Sequence, residues 1–404
     1  MDRLKSLNNS LIGKTQVCLV AGSKGTHMNI AWIGSQPNFR VNVFTRRPEI
    51  FKGGQVTATF EDEPGKTLVG KINLATACPR QASRGTKVFI ISSPVNVQET
   101  LLRTLKPFIE PGAYVGSVYG QGGFDLIASH VLGDDIQKKD LTVFSLLNIP
   151  STCTVPEQGK RSNILGPKAY LSVCCYPLSK LESAKRLVEN LWGKPTKAIP
   201  NFLNIMLTPG NQIIHTGRVM GLYGNKNPIL MNEIPFFYTT VGQLAADNMS
   251  RLSSEIQLIK YKILSLYPNL DLKAVLPLGD RIISQYGDQV EDTSTLKNIF
   301  TSNRGYRVMK IPMVKQGGGY MVNVNARIFT EDVPFGLCVL KDLAEMLGLE
   351  VPAITEAIVW HQKLMGKNYV VNGKINEAEI NQMGCPRRFG FRTIDQLIQH
   401  YTTQ

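Results

Sequence analysis

His215 is the residue whose type and setting best suit proton transfer. It follows the Pro209-Gly210 turn and two isoleucines, and it precedes Gly217. A carboxylate beside an imidazole raises its basicity and fixes its tautomer, so an acid brought next to this histidine would create a general acid/base. The sequence therefore directs attention to acidic residues elsewhere in the chain that could reach it.

The segment Asn325–Gly336 contains the strongest candidate for such an acid. Arg327 is followed by Glu331 and Asp332, and then by proline and glycine. An arginine here could hold a substrate carboxylate through two parallel hydrogen bonds. The same residues could instead be a helix cap, with Thr330 to Asp332 and the following proline starting a helix at Leu337. The spacing alone leaves both interpretations open.

A glycine-containing turn near the N-terminus could bind a dinucleotide. The apolar run 16–21 ends at Gly22-Ser23-Lys24-Gly25, and a helix is predicted from Thr26. Glycines at such a turn let the backbone approach a pyrophosphate that lies at the helix N-terminus. We therefore predict that Gly22, Ser23 and Gly25 contact the cofactor. The strict Gly-x-Gly-x-x-Gly pattern is not met, because Ala, Ser and Thr stand at its glycine positions, so an ordinary strand-to-helix turn is the alternative.

Two arginines follow the second predicted strand, Phe39 to Thr45. In dinucleotide-binding folds this position commonly carries an acid that binds the adenosine ribose, whereas here it carries Arg46 and Arg47. Arginine can accept a 2′-phosphate or stack on adenine. A solvated loop is the other interpretation, and the choice between NAD and NADP stays open.

The elements that must position these residues follow two patterns. Up to about Pro200, short apolar runs alternate with helical segments, with an antiparallel excursion over 55–75 and a helix from about Gln98 to Phe108. This alternation predicts an α/β Rossmann-type, doubly wound sheet. Beyond it, apolar residues at helical spacing predict a long helix over 245–263 and two helices near 337–347 and 351–365. We therefore expect a dinucleotide-binding domain over residues 1–200 and a mostly α-helical substrate and catalytic domain over residues 201–404.

The composition favours an intracellular enzyme with anionic ligands. The 404 residues carry a net charge of +14 without a run of five basic residues, which disfavours nucleic-acid binding and suits an anionic cofactor and substrates. The seven cysteines include no Cys-x-x-Cys pair, so we expect a reducing compartment and no metal site. Residues 1–14 lack a signal-peptide core and no run of 18 apolar residues occurs, so we expect a cytoplasmic protein without a membrane span.

Several motifs, taken together, resemble one enzyme family. They are GSKGTH (22–27), GQGGFD (120–125), IIHTGR (213–218), PFFY (235–238), ARIFTEDVPFG (326–336), GKNYVVNGKI (366–375) and CPRRFGF (385–391). In this order and spacing, from about Gln16 to Gln399, they are similar to the octopine/nopaline (opine) dehydrogenases.

The resemblance implies an oxidoreductase that joins pyruvate reductively to an amino acid and that catalyses the reverse oxidation. NAD(H) is the favoured cofactor and NADP(H) is the alternative. Such an enzyme would reoxidise NADH in anaerobic glycolysis. His215 would be the general acid/base, Asp332 would orient it, and Arg327 would bind a carboxylate or steady the pair. Gln121, Asn148 and Cys153 match positions near the substrate. We expect a monomer or a small homo-oligomer.

The amino acid is inferred from the segment Ser145–Val155, which matches a substrate-lining stretch of the family and contains no acid. A guanidinium substrate would need a carboxylate there, so we expect a small neutral partner such as alanine, glycine, β-alanine or taurine. Two alternatives remain. One is a hydroxy-acid dehydrogenase without an amine substrate, and the other is a non-catalytic dinucleotide-binding sensor.

Overall fold

The computed structural model describes residues 14–402, which form two compact units. The first unit comprises the chain up to Ser93, Val97–Tyr119 and Ile127–Ala198, and the second comprises Pro94–Asn96, Gly120–Leu126 and the chain from Ile199. The predicted absence of a signal peptide concerns residues 1–14, nearly all of which lie outside the described residues.

The first unit contains an eleven-stranded sheet. Its strands β1 to β11 are Thr15–Val20, Phe39–Phe44, Gln55–Phe60, Thr67–Thr76, Val88–Ile91, Tyr114–Ser117, Thr142–Leu146, Ser151–Glu157, Arg161–Pro167, Leu171–Tyr176 and Thr196–Ala198. The helices of this part of the chain, α1 to α6, are Lys24–Gly34, Pro79–Ser83, Val95–Leu105, Phe124–Leu132, Asp135–Lys138 and Leu181–Trp192. The first turns of α3 and α4 are counted with the second unit.

Six parallel strands form the centre of this sheet. Their order is β4-β2-β1-β5-β6-β7, with β1 between β2 and β5. This is the strand order of dinucleotide-binding folds, in which the ligand lies outside the carboxyl ends of the strands where the order reverses. The antiparallel excursion is present as the β3–β4 pair, and β10 runs antiparallel to β7. The predicted Rossmann-type sheet is confirmed.

Continuous apolar runs explain the central strands. Val17 to Val20 and all of β5 are almost inaccessible to solvent, as expected for parallel strands that are covered on both faces. Helices α1 and α6 are joined on one side of the sheet by two indole hydrogen bonds. Trp32 Nε1 donates to the Trp192 carbonyl at 2.9 Å, and Trp192 Nε1 donates to Asn29 Oδ1 at 3.0 Å.

The second unit is mostly helical, as predicted. Its remaining helices, α7 to α14, are Leu203–Leu207, Asn211–Leu222, Gln243–Leu266, Leu278–Tyr286, Leu296–Ser302, Cys338–Met346, Pro352–Met365 and Ile394–Thr402. A π-helix spans Ile328–Leu337 and runs directly into α12. Two short hairpins complete the unit, β12–β13 (Met313–Gln316 and Gly319–Val322) and β14–β15 (Val370–Val371 and Lys374–Ile375).

Two expectations about helix bounds need correction. The helix expected over 98–108 begins earlier, at Val95, and ends at Leu105, where a short 3-10 turn containing Pro107 follows. The helix cap expected at Thr330–Asp332 is also wrong, because helical structure already begins at Ile328. Thr330, Glu331 and Asp332 lie inside a helix, so their side chains do not cap one that starts at Leu337.

His361 on α13 packs against the π-helix as a neutral histidine. Its ring lies 5.3 Å from that of Phe329, and its Nδ1 donates to the Ala357 carbonyl at 2.7 Å. Burial lowers the pKa of His361 to about 4. Because the unfolded chain binds this proton near pH 6.5 and the folded chain does not, folding stability falls as pH drops through this range.

We predict that His361→Leu removes this part of the pH dependence. Between about pH 6.5 and pH 4 the wild type should lose on the order of 3 kcal/mol relative to the variant, because only the wild type must keep this imidazole uncharged. Urea unfolding at a series of pH values measures the difference, and acids such as Asp125 cancel because both proteins contain them. A constant difference in stability across this range would contradict the prediction.

Candidate active site

His215 and Asp332 lie side by side although 117 residues separate them in sequence. His215 is on α8 and Asp332 is on the π-helix, and the distance from Nδ1 to Oδ2 is 2.8 Å. Because a carboxylate can only accept, Nδ1 carries the proton and Nε2 presents its lone pair when the imidazole is neutral. The Asp332 side chain is 7% exposed and that of His215 is 18% exposed, so the imidazole is the more accessible member of the pair.

A close approach of two helices brings the pair together. A Cβ added to Gly336 would lie 2.3 Å from the Cβ of Gln212, so only glycine permits this contact between the π-helix and α8. Asp332 is four residues before Gly336, and His215 is three residues after Gln212. The π-helix is also held from its other sides, since the Gly384 amide donates to the Pro334 carbonyl at 3.0 Å. Single π-helical segments of this kind are frequent at functional sites.

Arg327 forms an ion pair with Glu331, the residue before Asp332 in the π-helix. Its Nε donates to Glu331, which is nearly buried and also accepts the Val95 amide at 3.0 Å. Burial raises the pKa of Glu331, and the neighbouring Arg327 opposes that rise. The Arg327 side chain itself is 58% exposed. The predicted arginine is therefore one helical turn from Asp332, with its guanidinium open to solvent.

Tyr238 is a further neighbour of His215. Its hydroxyl lies 3.2 Å from His215 Nε2, and the ring of Phe237 meets the imidazole edge-on at 4.9 Å. Both residues belong to the PFFY motif (235–238), which by sequence alone shows only a similarity to the opine dehydrogenases. A tyrosine at the end of an aromatic run was the available signal, but spacing could not show that it reaches a histidine 23 residues earlier.

Gln121 lies in the same unit as the histidine. It is buried, and its Nε2 donates to the Thr208 carbonyl at 2.7 Å. Gln212, one turn before Thr216 on α8, donates to the same carbonyl at 3.0 Å. The GQGG segment is thereby tied to the chain that leads into α8.

The predicted cofactor loop occupies the reversal point of the sheet. Ser23 caps α1 by accepting the Thr26 amide, and its hydroxyl also bonds the Ser92 carbonyl at the end of β5. A Cβ on Gly25 would lie 2.7 Å from Ser92 Oγ. The first turn of α1 contains no acid. A glycine-lined helix N-terminus that is not neutralised, placed at the carboxyl ends of β1 and β5, fits a dinucleotide pyrophosphate.

His27 fixes this loop rather than serving as an acid or base. It is buried, its Nδ1 donates to the Ser23 carbonyl at 2.8 Å, and its Nε2 accepts the Gly159 amide at 2.9 Å. Burial lowers the pKa of His27, so the ring stays neutral in this arrangement. Gly159 lies in the β8–β9 turn, so the histidine connects the loop to the hairpin that carries Cys153.

The remaining predicted residues also belong to the first unit. Arg46 and Arg47 are exposed after β2, and the Arg47 amide donates to Thr45 Oγ1 at 3.3 Å. Asn148 is buried and donates to the Tyr170 carbonyl at 3.3 Å. Cys153 is half-buried on β8, and burial raises the pKa of its thiol to about 12, with Lys24 opposing the rise. Cys153 is therefore a neutral thiol.

The structure thus groups the predicted residues in two sets. The second unit holds His215, Asp332, Arg327 and Gln121, and the first unit holds Gly22, Ser23, Gly25, Arg46, Arg47, Asn148 and Cys153. Over residues 14–402, no group of three or more His, Cys, Asp or Glu side chains is arranged to hold a metal ion. No helix within that range is both long and apolar enough to cross a membrane.

Comparison with known proteins gives this geometry a context. Residues 198–365 match the model of the NAD/NADP octopine/nopaline dehydrogenase α-helical domain. The chain is 28% identical to a tauropine dehydrogenase from Arabella iricolor, covering 94% of this chain and 99% of that protein. It is 24% identical to an octopine dehydrogenase from Pecten maximus, covering 95% and 98%. Over nearly its whole length the chain is therefore similar to octopine/nopaline dehydrogenases.

These similarities confirm the predicted class of enzyme, an NAD- or NADP-dependent oxidoreductase. A solved structure of octopine dehydrogenase with NADH and L-arginine has the same fold, with a TM-score of 0.81 over 96% of this chain and 98% of that one, at 24% identity. A D-mandelate dehydrogenase structure, 11% identical over 86% of this chain and 98% of that one, shares the architecture with a TM-score of 0.56. The fold alone therefore does not decide whether an amine is a substrate.

Ala21 adopts a backbone conformation that glycine normally supplies. It directly follows β1 with φ of 85°, at the first glycine position of the usual dinucleotide motif. We predict that Ala21→Gly raises the free energy of unfolding by about 1 kcal/mol, because it relieves left-handed strain that exceeds the entropic cost of glycine. Chemical denaturation measures the change, and Ala21→Val should destabilise the protein. Loss of stability in Ala21→Gly would show that Ala21 is unstrained.

Proposed function

We propose that this enzyme condenses pyruvate with a small neutral amino acid and reduces the product with NAD(P)H, and that it also catalyses the reverse oxidation. The observation that carries the proposal is the His215–Asp332 pair, in which the 2.8 Å contact fixes Nδ1 as the protonated nitrogen. An oriented imidazole that is partly exposed to solvent suits general acid/base chemistry.

His215 would manage protons at the reacting carbon. Condensation of an amine with a ketone forms a C=N bond and releases water, so a proton must leave the ammonium group and another must reach the departing oxygen. A single imidazole can do both, because Nε2 accepts the first proton and donates the second. Asp332 would stabilise the imidazolium between these steps and keep the ring aligned. The bound nicotinamide supplies the hydride.

Arg327 would bind a carboxylate of the substrates. Glu331 holds its guanidinium one turn from Asp332, and the exposed side chain can be reached from solvent. Guanidinium and carboxylate groups match in geometry and charge, which gives orientation as well as affinity. Gln121 would contribute an amide to the same region, since its side chain is fixed against the start of α8.

The small neutral amino acid is supported by the chemistry of Ser145–Val155. This stretch contains no acid, and its Cys153 stays a neutral thiol because burial raises its pKa. Asn148 Oδ1 is a buried acceptor without a hydrogen-bond partner among the described residues, which suits a neutral or ammonium donor. A guanidinium group would find no countercharge from this segment. The relatives include enzymes named for tauropine as well as octopine, so the amine differs within the family.

The cofactor site would accept either dinucleotide. The loop after β1 offers the α1 N-terminus to the pyrophosphate, and Arg46 and Arg47 lie after β2, where the adenosine ribose is usually bound. We favour NAD(H), since the similar solved structures contain NADH, and the arginines leave NADP(H) a possible second cofactor. A role in reoxidising NADH during anaerobic glycolysis would follow from the same reaction.

A hydroxy-acid dehydrogenase is the second candidate, favoured by the shared architecture with D-mandelate dehydrogenase. It would reduce a keto acid directly, with the same histidine supplying a proton to the carbonyl oxygen. A requirement for an amine distinguishes the two reactions.

We predict that NADH is consumed only when both pyruvate and an amine are present. Alanine, glycine, β-alanine and taurine should each be compared with arginine, and the series should be repeated with NADPH, by following the loss of nicotinamide absorbance. His215→Gln should reduce kcat/KM at least about 100-fold, because a general acid/base typically contributes that much.

His130→Gln is the matched control, because that histidine lies on α4 beside Arg103, on an exposed face of the first unit. It should turn over at the wild-type rate. Consumption that needs pyruvate alone would support the hydroxy-acid alternative, and a higher kcat/KM with arginine than with the four neutral amines would refute the proposed specificity.

A separate prediction concerns Asp332→Asn. The amide keeps the shape of the side chain but can donate to Nδ1, which favours the wrong tautomer of His215 and removes the charge that stabilises the imidazolium. kcat should fall by about 100- to 10,000-fold while the dissociation constant of NADH stays unchanged. Steady-state kinetics and cofactor fluorescence measure the two quantities. Near-normal turnover would exclude the dyad as the catalytic unit.

A further inference from the structure

His215 has a second hydrogen-bonding neighbour, Tyr238, which other side chains hold firmly in place. Asp332 takes Nδ1, and the Tyr238 hydroxyl lies 3.2 Å from Nε2, which is the nitrogen that the proposed chemistry requires. A hydroxyl can donate to a neutral imidazole and can also accept from a protonated one, because it is both donor and acceptor. A phenol is therefore a partner for both states of a working acid/base.

The ring of Tyr238 is fixed by aromatic packing. It stacks on Tyr306 with ring centres 4.1 Å apart and on Phe300 at 6.0 Å, both nearly parallel to it. Tyr238 itself is 8% exposed. Its hydroxyl is therefore held at one end of a rigid stack, so the contact with Nε2 does not depend on a mobile side chain.

Arg218 fixes the backbone that carries Tyr238. It lies on α8 one turn after His215, and it is almost completely buried. Its guanidinium donates to the carbonyls of Phe237 at 2.8 Å and of Phe236 and Thr240 at 3.2 Å. One helix thus carries both the histidine and the arginine that anchors the segment on either side of Tyr238.

The arginine makes these contacts at a cost in desolvation. Burial lowers the pKa of Arg218 to about 10, and its hydrogen-bond partners are carbonyl and hydroxyl oxygens rather than a carboxylate. Burying a cation on neutral acceptors is unfavourable compared with an apolar side chain of the same size. A need to hold the 236–240 segment accurately against α8 accounts for its presence.

The elements packed around His215 carry the following titratable and charged groups. The π-helix contributes Asp332, with the Glu331–Arg327 ion pair behind it. Helix α9 meets α8 through the apolar Ala245 and Met249, and its buried Glu255 accepts amides at the start of α13. On α13, His361 packs on Phe329 of the π-helix. Arg218 and Tyr238 lie next to the imidazole, and Tyr306, Tyr286 and Arg281 lie behind the Tyr238 ring.

We propose that Tyr238 is a positioning residue for proton transfer by His215 and that Arg218 acts through it. This inference rests on the proposed function. The hydroxyl donates to Nε2 while the imidazole is neutral, and it turns to accept when Nε2 carries a proton. Because Nε2 has one in-plane lone pair, the substrate must replace the hydroxyl at this nitrogen during each transfer. Tyr238 therefore holds His215 in one ring orientation, with Asp332 on the opposite nitrogen, before and after each proton transfer.

Tyr238→Phe tests the proposal, with Tyr306→Phe as the matched control. Both variants lose one phenol from the same aromatic stack, but the Tyr306 hydroxyl bonds Tyr286 rather than His215. We expect Tyr238→Phe to lower kcat about 10-fold or more, a part of the contribution of a general acid/base, with KM and NADH affinity little changed. Tyr306→Phe should keep wild-type kinetics.

The pH profile supplies a readout that a merely structural role would not move. A hydrogen bond from the protonated imidazole to the hydroxyl is charge-assisted and stronger than the bond made by the neutral ring. Loss of this hydrogen bond should shift the part of the kcat/KM pH profile that depends on His215 protonation towards lower pH, by about half a pH unit or more. The shift should occur in Tyr238→Phe and not in Tyr306→Phe. Equal profiles and equal kcat in the two variants would overturn the proposal.

An NMR titration keeps this test separate from the proposed function. The imidazole signals of His215, assigned by their loss in His215→Gln, should titrate at lower pH in Tyr238→Phe than in the wild type or in Tyr306→Phe. This comparison requires no substrate. If the wild type shows no amine-dependent turnover, the proposed reaction fails while the titration still decides whether Tyr238 acts on His215.

The role of Arg218 is tested by a double-mutant cycle. If Arg218 acts through Tyr238, Arg218→Lys and the double variant Arg218→Lys/Tyr238→Phe should have the same kcat as Tyr238→Phe within about twofold. Independent, multiplying losses would show that Arg218 acts elsewhere. NADH binding and the unfolding midpoint verify that each variant is folded. If Arg218→Lys does not fold, the comparison of Tyr238→Phe with Tyr306→Phe still decides the role of Tyr238.

Discussion

The close contact between α8 and the π-helix is the constraint on which the candidate site depends. At Gly336 the two backbones approach so closely that no side chain fits, and this brings Asp332 to within 2.8 Å of His215. The wider turn of a π-helix sets which residues face α8, and Glu331 fixes its start through Val95 and Arg327. A histidine–carboxylate pair separated by more than 100 residues is therefore placed by backbone packing.

The surroundings of the pair follow from the same helix. α8 carries His215 on one turn and Arg218 on the next, and the arginine anchors the segment that presents Tyr238. In the first unit, the predicted cofactor loop is likewise fixed by a few contacts. Ser23 caps α1 and contacts the end of β5, while the neutral His27 connects the loop to the β8–β9 turn. Both sites are held by a few direct contacts between neighbouring elements, a pre-organised arrangement that suits catalysis.

Much of the fold could be predicted from the sequence because the physical signal was local. Continuous apolar runs indicated the buried strands β1 and β5, and the helical spacing from Ala245 to Ile263 indicated α9. The pairing of His215 with Asp332 could not come from spacing, and it was inferred from resemblance. The contact of Tyr238 with His215 could not be predicted, because the position of Tyr238 depends on the buried Arg218. The helix cap at Thr330 is not formed, because a π-helix accommodates the acidic residues and Pro334 within helical structure.

The most direct test of the proposed reaction follows the transferred hydrogen. The enzyme should be supplied with pyruvate, the amine that supports turnover, and NADH carrying deuterium at the transferable position, and the product should be analysed by mass spectrometry and NMR. Our account predicts a secondary amine with one deuterium on the carbon that was the keto carbon of pyruvate. Deuterium found in lactate, with the amine unchanged, would contradict it.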